Sequence, residues 1–171
     1  RSQKMLRDRA MLLQYEVENA VEKLVAGERD LILRLSKAVE YRDSETGAHV
    51  TRMSHYSALI AKELVMPADY QEMMLLASPL HDVGKIGIPD SILLKHGYLT
   101  DDELVFMRRH PEIGERLLGG SESELVQLAS EIAGSHHEKF DGTGYPRGLV
   151  GENIPLSGRI VAVADVFDAL T

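Results

Sequence analysis

The first thirty residues carry apolar side chains at Leu6, Ala10, Leu13, Val17, Ala20 and Leu24, then at Leu31. The intervals alternate four and three, the spacing that gathers apolar positions into the seam of a coiled coil. Arg7, Arg9, Glu16, Glu18, Glu22 and Lys23 fill the solvent positions between them. Two uses fit such a helix: packing on its own domain, or pairing with a second copy as a signalling helix. The regularity of the seam, sustained over about three to four heptads, favours the second.

From Asp30 to Tyr41 the helical pattern continues through Leu31, Leu35, Ala38 and Val39, until Ser44-Glu45-Thr46-Gly47 interrupts it. A second helix is predicted from about Thr46 to Leu64, with Val50, Met53, Ile60 and Leu64 on its apolar side. Pro67 suits the first turn of a third helix. That helix carries Met73, Met74, Leu75 and Leu76 and is expected to end near Asp82-Val83-Gly84, with Gly84 as its C-terminal stop. A loop with a short helix around Asp90–Leu94 follows. Thr100-Asp101-Asp102-Glu103 has the form of a capping box, opening a helix expected to reach His110. Pro111 starts another, fading at Gly119-Gly120, and a further helix is read from Ser121 to about His137. Phe140 to Pro155 is rich in Gly and Pro and reads as loop, and Arg159 to Ala169 as an apolar helix. Few stretches alternate with period two, so the fold class is all-α, a compact helical bundle with a long N-terminal helix. Residues 1–30 read as a coiled-coil or signalling helix and 31–171 as the functional domain.

Composition narrows the chemistry. The 171 residues include no cysteine, so any metal must be held by imidazole and carboxylate. The same absence fits the cytoplasm. A formal net charge of −8 argues against a general nucleic-acid or anionic-membrane surface. An anionic substrate would need local compensation, which bound metal ions supply. No apolar run approaches the ~20 residues that span a bilayer, and no signal peptide is visible. The chain begins at Arg1 and reads as a piece of something longer, with upstream sensory parts outside it.

Seven histidines are present, and only their arrangement carries meaning. His81-Asp82 follows an apolar helix and precedes Gly84-Lys85. Glu45 and His49, four apart, share a helix face, although a first-turn carboxylate also complements the helix dipole. His136-His137 closes an apolar helix before a Gly-rich loop. Such histidines can simply face a helix C-terminus, but imidazole is also a common transition-metal ligand. Asp165 lies within the apolar run Ile160–Phe167, where burying a carboxylate is costly unless it is paired or metal-bound. Asp168 competes with it, and the apolar flanks of Asp165 make Asp165 the stronger ligand candidate. Several helices each offering such ligands is how multinuclear carboxylate–histidine sites are built inside bundles. A two- or three-metal centre of this kind binds phosphate oxygens and activates water for in-line displacement at phosphorus.

The stretch His81-Asp82-Val83-Gly84-Lys85-Ile86-Gly87-Ile88-Pro89-Asp90 resembles the signature of the HD superfamily of metal-dependent phosphohydrolases. His136-His137-Glu138-Lys139-Phe140-Asp141-Gly142-Thr143-Gly144-Tyr145-Pro146-Arg147-Gly148-Leu149 is similar to the motif that names its HD-GYP subgroup. Glu45-Thr46-Gly47-Ala48-His49-Val50-Thr51-Arg52 matches the N-terminal motif of that subgroup, so the resemblance covers roughly residues 30–171. It implies an all-helical phosphodiesterase that degrades cyclic di-GMP to linear pGpG and on to GMP. It implies two or three divalent ions, iron or manganese first, with nickel, zinc, magnesium or calcium as alternatives. The ligands it implies are His49, His81, Asp82, His110, His136, His137 and Asp165, with Asp82 bridging two ions and Glu45 at the position associated with a third. His110 enters through the resemblance alone. Lys85 matches the lysine that meets the substrate phosphate. Gly144, Tyr145 and Pro146 form the loop beside the site, affecting substrate and protein-partner contacts, and Arg147 counts among the substrate contacts. The family usually continues past Asp165 with a basic Arg-Pro-Tyr-type segment and more helices, so the domain ending at Thr171 reads as C-terminally truncated. His55 and His96 take no role and read as surface or structural.

The leading expectation is thus a cytoplasmic bacterial cyclic di-GMP phosphodiesterase, dimeric through its N-terminal helix, under an upstream receiver or sensory domain. Two alternatives stand beside it: a signalling scaffold that binds cyclic di-GMP or protein partners without turnover, and a phosphohydrolase for another cyclic dinucleotide.

Overall fold

Helix α2 (Gly47–Glu63) buries Val50, Met53, Ser54, Ser57 and Ala61, one stripe of helical period. The computed structural model describes residues 2–42 and 47–171, and Glu45 lies outside them. Helix α1 (Ser2–Glu40) precedes α2, and α3 (Ala68–Ala77) follows it. Next come α4 (Asp90–Leu93), α5 (Asp101–Met107), α6 (His110–Leu118), α7 (Glu124–Ala133) and α8 (Leu156–Leu170). Among the described residues the only strand-like pairing is an isolated antiparallel bridge between Asp141 and Val150. The fold is all-α, as the periodicity predicts.

Contacts divide the chain into two units, residues 1–31 and 32–171. In the first, the expected seam faces solvent: Leu6, Leu13, Val17, Leu24 and Leu31 are 52–73% exposed. In the second, α2 packs against α3 and α8, and α7 packs against α3, α6 and α8. Their shared core holds Met53, Ala61, Met74, Ile132, Val161 and Ala164, all without exposed surface. Small residues at Ser57, Ala61, Ala77, Ala129 and Ala164 let the helices approach closely.

Three boundaries differ from the sequence reading, each for a local reason. The third helix stops at Ala77 rather than near Gly84. Pro79 has no N–H to continue the α pattern, and the chain tightens into a 3₁₀ turn, Ser78–Leu80. The helix opened by Thr100 ends at Met107 rather than His110, and His110 instead opens α6. Its capping box is formed: Glu103 N–H donates to Thr100 Oγ1 (3.3 Å) and Thr100 N–H to Glu103 Oε2 (2.7 Å). The helix read from Ser121 to His137 is confined to Glu124–Ala133, with Ser123 Oγ accepting from Val126 N–H at its start.

Gly84 is not a helix stop. It lies inside a second 3₁₀ turn, Val83–Gly87, with an ordinary negative φ. Glycine is needed there for proximity, because a Cβ would fall 1.9 Å from the His110 carbonyl oxygen and 2.5 Å from the Gly114 nitrogen. The backbone after Asp82 is thereby pressed onto the start of α6, which carries His110. Gly84→Ala is expected to destabilise the protein by about 3 kcal/mol, the upper end of overpacking costs. Urea denaturation of the metal-free protein checks this.

Candidate metal centre

Three of the site's imidazoles stand immediately after helix ends. Near a helix terminus some carbonyls lack an intrahelical partner or spare a lone pair, and each of these histidines donates its Nδ1–H to a carbonyl three residues back, Ser78 O also accepting the His81 backbone N–H at 3.1 Å. His81 Nδ1 lies 3.0 Å from Ser78 O, His110 Nδ1 2.8 Å from Met107 O, and His136 Nδ1 3.1 Å from Ala133 O. A carbonyl can only accept, so the proton sits on Nδ1 and the Nε2 lone pair points inward. All three rings are buried.

Those nitrogens converge on Asp82. His81 Nε2 is 3.2 Å from Asp82 Oδ2, while His110 Nε2 and His136 Nε2 are 3.1 and 3.5 Å from Oδ1. His110 and His136 also face each other, Nε2 to Nε2, at 3.4 Å. Lone pairs aimed at one another and at a carboxylate repel in a buried space unless protons or a cation lie between them. The potential ligand atoms fall into two groups, each drawn within 4.8 Å: Asp82, His110, His136 and His137; and His49, His81 and Asp165. Asp82 presents Oδ1 to the first group and Oδ2 to His81 of the second. His49, on α2, reaches Asp165, on α8, with Nε2 to Oδ1 at 3.2 Å. The donor set of borderline imidazoles and hard carboxylates, without sulfur, suits divalent first-row ions.

Electrostatics support that fit. Burial and the neighbouring imidazoles of His136 and His110 push His137 down to about 2, and burial lowers His136. Burial also pulls His81 down, but Asp82 beside it prevails and holds it above its ordinary value of 6.5. Burial pushes Asp82 up, yet His81 beside it keeps it well below the carboxylate range. His136 and His137 therefore offer neutral nitrogens beside an ionised Asp82, the state that a metal ion requires, and His81 is the imidazole whose proton a metal must displace.

The other expected residues fall in different places. Lys85 Nζ lies 2.8 Å from Asp82 Oδ2, at the edge of the second group. Tyr145 stacks on His137, with centroids 4.7 Å apart, and the Arg108 guanidinium lies 5.3 Å above the Tyr145 ring. Gly144 keeps the loop tight, since a Cβ there would fall 2.2 Å from the Lys139 nitrogen; Tyr145-Pro146 is a cis peptide. Glu138, buried, accepts from the backbone N–H of Arg147 and Leu149 and so ties the loop's two sides together. The Arg147 guanidinium donates to Glu115 Oε1 and to Gly134 O, so it anchors the loop to α6 and α7. His55 and His96 are exposed.

Asp165 and Asp168 exchange the properties expected of them. Asp168 is the deeply buried carboxylate, with 1% side-chain exposure against 26% for Asp165. Its burial is offset by Arg52, whose Nε and Nη2 donate to its two oxygens at 2.7 and 2.8 Å, and by His49 Nδ1 at 2.7 Å. Cost of burial is thus a poor guide to the ligand here, because an ion pair with the half-exposed Arg52 meets that cost at Asp168. Arg52 and Arg108 are residues at the site that sequence reasoning gave no role, and Asp168 entered there only as a competitor of Asp165. For two of them a signal exists: Arg52 follows His49, and Asp168 follows Asp165, by three residues, one helical face in each case.

An HD domain family profile matches residues 33–171. The chain is 50% identical over 165 residues to a cyclic di-GMP phosphodiesterase response regulator of Xanthomonas campestris pv. campestris, covering 96% of this chain and 44% of that protein. It is 52% identical over 136 residues to a cyclic di-GMP phosphodiesterase of Thermotoga maritima (80% of this chain, 37% of that one). It is 48% identical over 158 residues to a 3'3'-cGAMP-specific phosphodiesterase of Vibrio cholerae (92% and 30%). The chain therefore spans less than half the length of each of these curated relatives. Among the described residues no helix is long and apolar enough to cross a membrane.

A pH dependence follows from His81. Below its raised pKa the metal-free protein carries a proton there that a metal must displace. Apparent affinity for Mn²⁺ in a chelator competition is expected to fall by about tenfold per pH unit as pH drops through and below that value. A profile that stays flat as pH falls below 6.5, the ordinary value that His81 exceeds, would place His81 outside the metal site.

Proposed function

Because the chain belongs to the HD domain family, we propose that it acts as a metal-dependent phosphodiesterase on cyclic di-GMP, giving pGpG and then GMP. One observation carries this reading: two adjoining groups of inward-facing imidazole nitrogens and carboxylates, sharing Asp82, with the Lys85 ammonium at their edge. The names of the Xanthomonas and Thermotoga relatives support the choice of substrate. His110, His136, His137 and Asp82 would hold one ion, and His49, His81, Asp165 and Asp82 a second, with Glu45 available to a third; iron or manganese fit best, with nickel, zinc, magnesium and calcium as alternatives. Bound there, such ions neutralise phosphate charge and lower the pKa of the water that attacks phosphorus.

The chain's own residues do the rest. Lys85 leaves Asp82 to meet a phosphate oxygen, which offsets the repulsion between an acidic protein and a dianionic substrate. Gly144, Tyr145 and Pro146 wall the site beside His137, and the Tyr145 ring, backed by Arg108, offers a face on which a purine can stack. Arg147 secures this wall from behind. The exposed seam at Leu6, Leu13, Val17 and Leu24 suits a homodimer, with a receiver or sensory part driving the helix pair in the bacterial cytoplasm. A protein partner at the Gly-Tyr-Pro loop fits the same signalling role.

A second substrate is favoured by the Vibrio relative named for 3'3'-cGAMP. The metal and lysine groups address the phosphodiester and are indifferent to the base, so discrimination falls to the stacking wall.

Incubating the Mn²⁺- or Fe²⁺-reconstituted protein with cyclic di-GMP and with 3'3'-cGAMP side by side is expected to yield linear product, faster from cyclic di-GMP. His81→Ala and Asp82→Ala should each slow the reaction on the order of a thousandfold, given several kcal/mol of lost transition-state stabilisation, with the circular dichroism spectrum retained. No linear product with iron, manganese or nickel would refute the enzymatic reading. In sedimentation, Leu13→Asp combined with Leu24→Asp should convert a dimer to a monomer.

A further inference from the structure

His49 differs from the other oriented imidazoles of the site. Where His81, His110 and His136 rest Nδ1 on main-chain carbonyls, His49 rests it on a carboxylate, Asp168 Oδ2, at 2.7 Å. That carboxylate is not free to turn. Arg52 clamps both its oxygens with Nε and Nη2, a bidentate fork that fixes the plane of the group. The two helices are matched rung by rung. His49 on α2 faces Asp165 on α8, and one turn further along each helix Arg52 faces Asp168. Asp168 has no route to the ligand cluster except through His49, because its side chain is 1% exposed and both its oxygens are engaged, and the half-exposed Arg52 spends Nε and Nη2 on that carboxylate.

We propose that Arg52 and Asp168 are positioning residues for the ion held by His49, His81 and Asp165. The inference rests on the reading that this group binds a divalent ion. Asp168 holds the proton of His49 on Nδ1, aims Nε2 alongside Asp165, and makes this imidazole a stronger donor than those resting on neutral carbonyls. Arg52 keeps the carboxylate ionised and in plane. The two ion sites are therefore unequal: the one shared by α2 and α8 is tuned by a buried carboxylate paired with Arg52, and the one built on His110, His136 and His137 is not.

The test is a Mn²⁺ titration of the metal-free chain by calorimetry, comparing wild type with Asp168→Asn and Arg52→Lys. Wild type should take up two ions. Asp168→Asn should weaken one of them by about 10- to 100-fold, the usual cost of losing such a partner, and leave the other within about twofold. Arg52→Lys, which keeps the charge and loses the fork, should fall between. Both variants binding two ions as wild type does, or either variant losing both ions alike, would overturn the proposal. A wild type that binds no Mn²⁺ would instead remove the reading on which it rests. Should Asp168→Asn fail to fold, ¹⁵N NMR of His49 in the metal-free wild type decides independently. The Nδ1–H tautomer is expected, and the Nε2–H tautomer contradicts the role of Asp168.

Discussion

The centre depends on the carbonyls at helix ends. Where α5 stops at Met107 and where α7 stops at Ala133 a carbonyl is left to a side-chain donor, and where α3 gives way to a 3₁₀ turn the Ser78 carbonyl, which takes the His81 backbone N–H, has a second lone pair to spare. A histidine three residues on supplies the donor each time. One hydrogen bond closes the helix, fixes the tautomer and turns a bare Nε2 inward. The same three breaks that end the helices thus build the site, and a longer helix at any of them would carry its imidazole away from Asp82.

The bundle exists in a form that brings these ends together. Small residues on α2, α3, α7 and α8 let the helices close on Met53, Met74 and Ile132, and Gly84 lets the backbone after Asp82 lie against the start of α6. The resulting burial sharpens the electrostatics. Two imidazoles are driven toward neutrality, Asp82 is kept ionised, and the nitrogens and oxygens that remain face one another with too few protons among them. A cation resolves that arrangement more fully than protonation can. The long edge from His49 to Asp168 then gives one side of the centre a charged support that the other lacks.

Much of this was legible beforehand, and the parts that were not share a cause. Helical period gave the all-α class and, on α2, Val50 and Met53, and the capping box at Thr100 was equally local; Leu64, expected on that same apolar side, is instead exposed, and the stripe continues through the small residues Ser57 and Ala61. His81-Asp82, His136-His137 and Asp165 stood out by residue type and setting. His110 did not, since a single histidine before a proline carries no local mark and was named only through family resemblance. Gly84 was misread as a helix stop because its requirement is a contact with His110 and Gly114, distant in sequence. The same holds for Arg52 with Asp168, 116 residues apart. Reasoning from burial pointed at Asp165 for a cost that Asp168 in fact bears, as no local pattern reveals which carboxylate has found an arginine. Arg147 was counted among the substrate contacts, and its partners Glu115 and the Gly134 carbonyl come from two other segments.

The central claim is that these two groups of side chains form one dinuclear metal centre sharing Asp82. Anomalous diffraction from crystals of the Mn²⁺- or Fe²⁺-loaded protein, collected at the metal edge, tests it most directly. The account predicts one peak among Asp82, His110, His136 and His137 and a second among His49, His81 and Asp165, both in contact with Asp82. A loaded crystal with no peak in either group, or with metal bound only elsewhere on the surface, would contradict it.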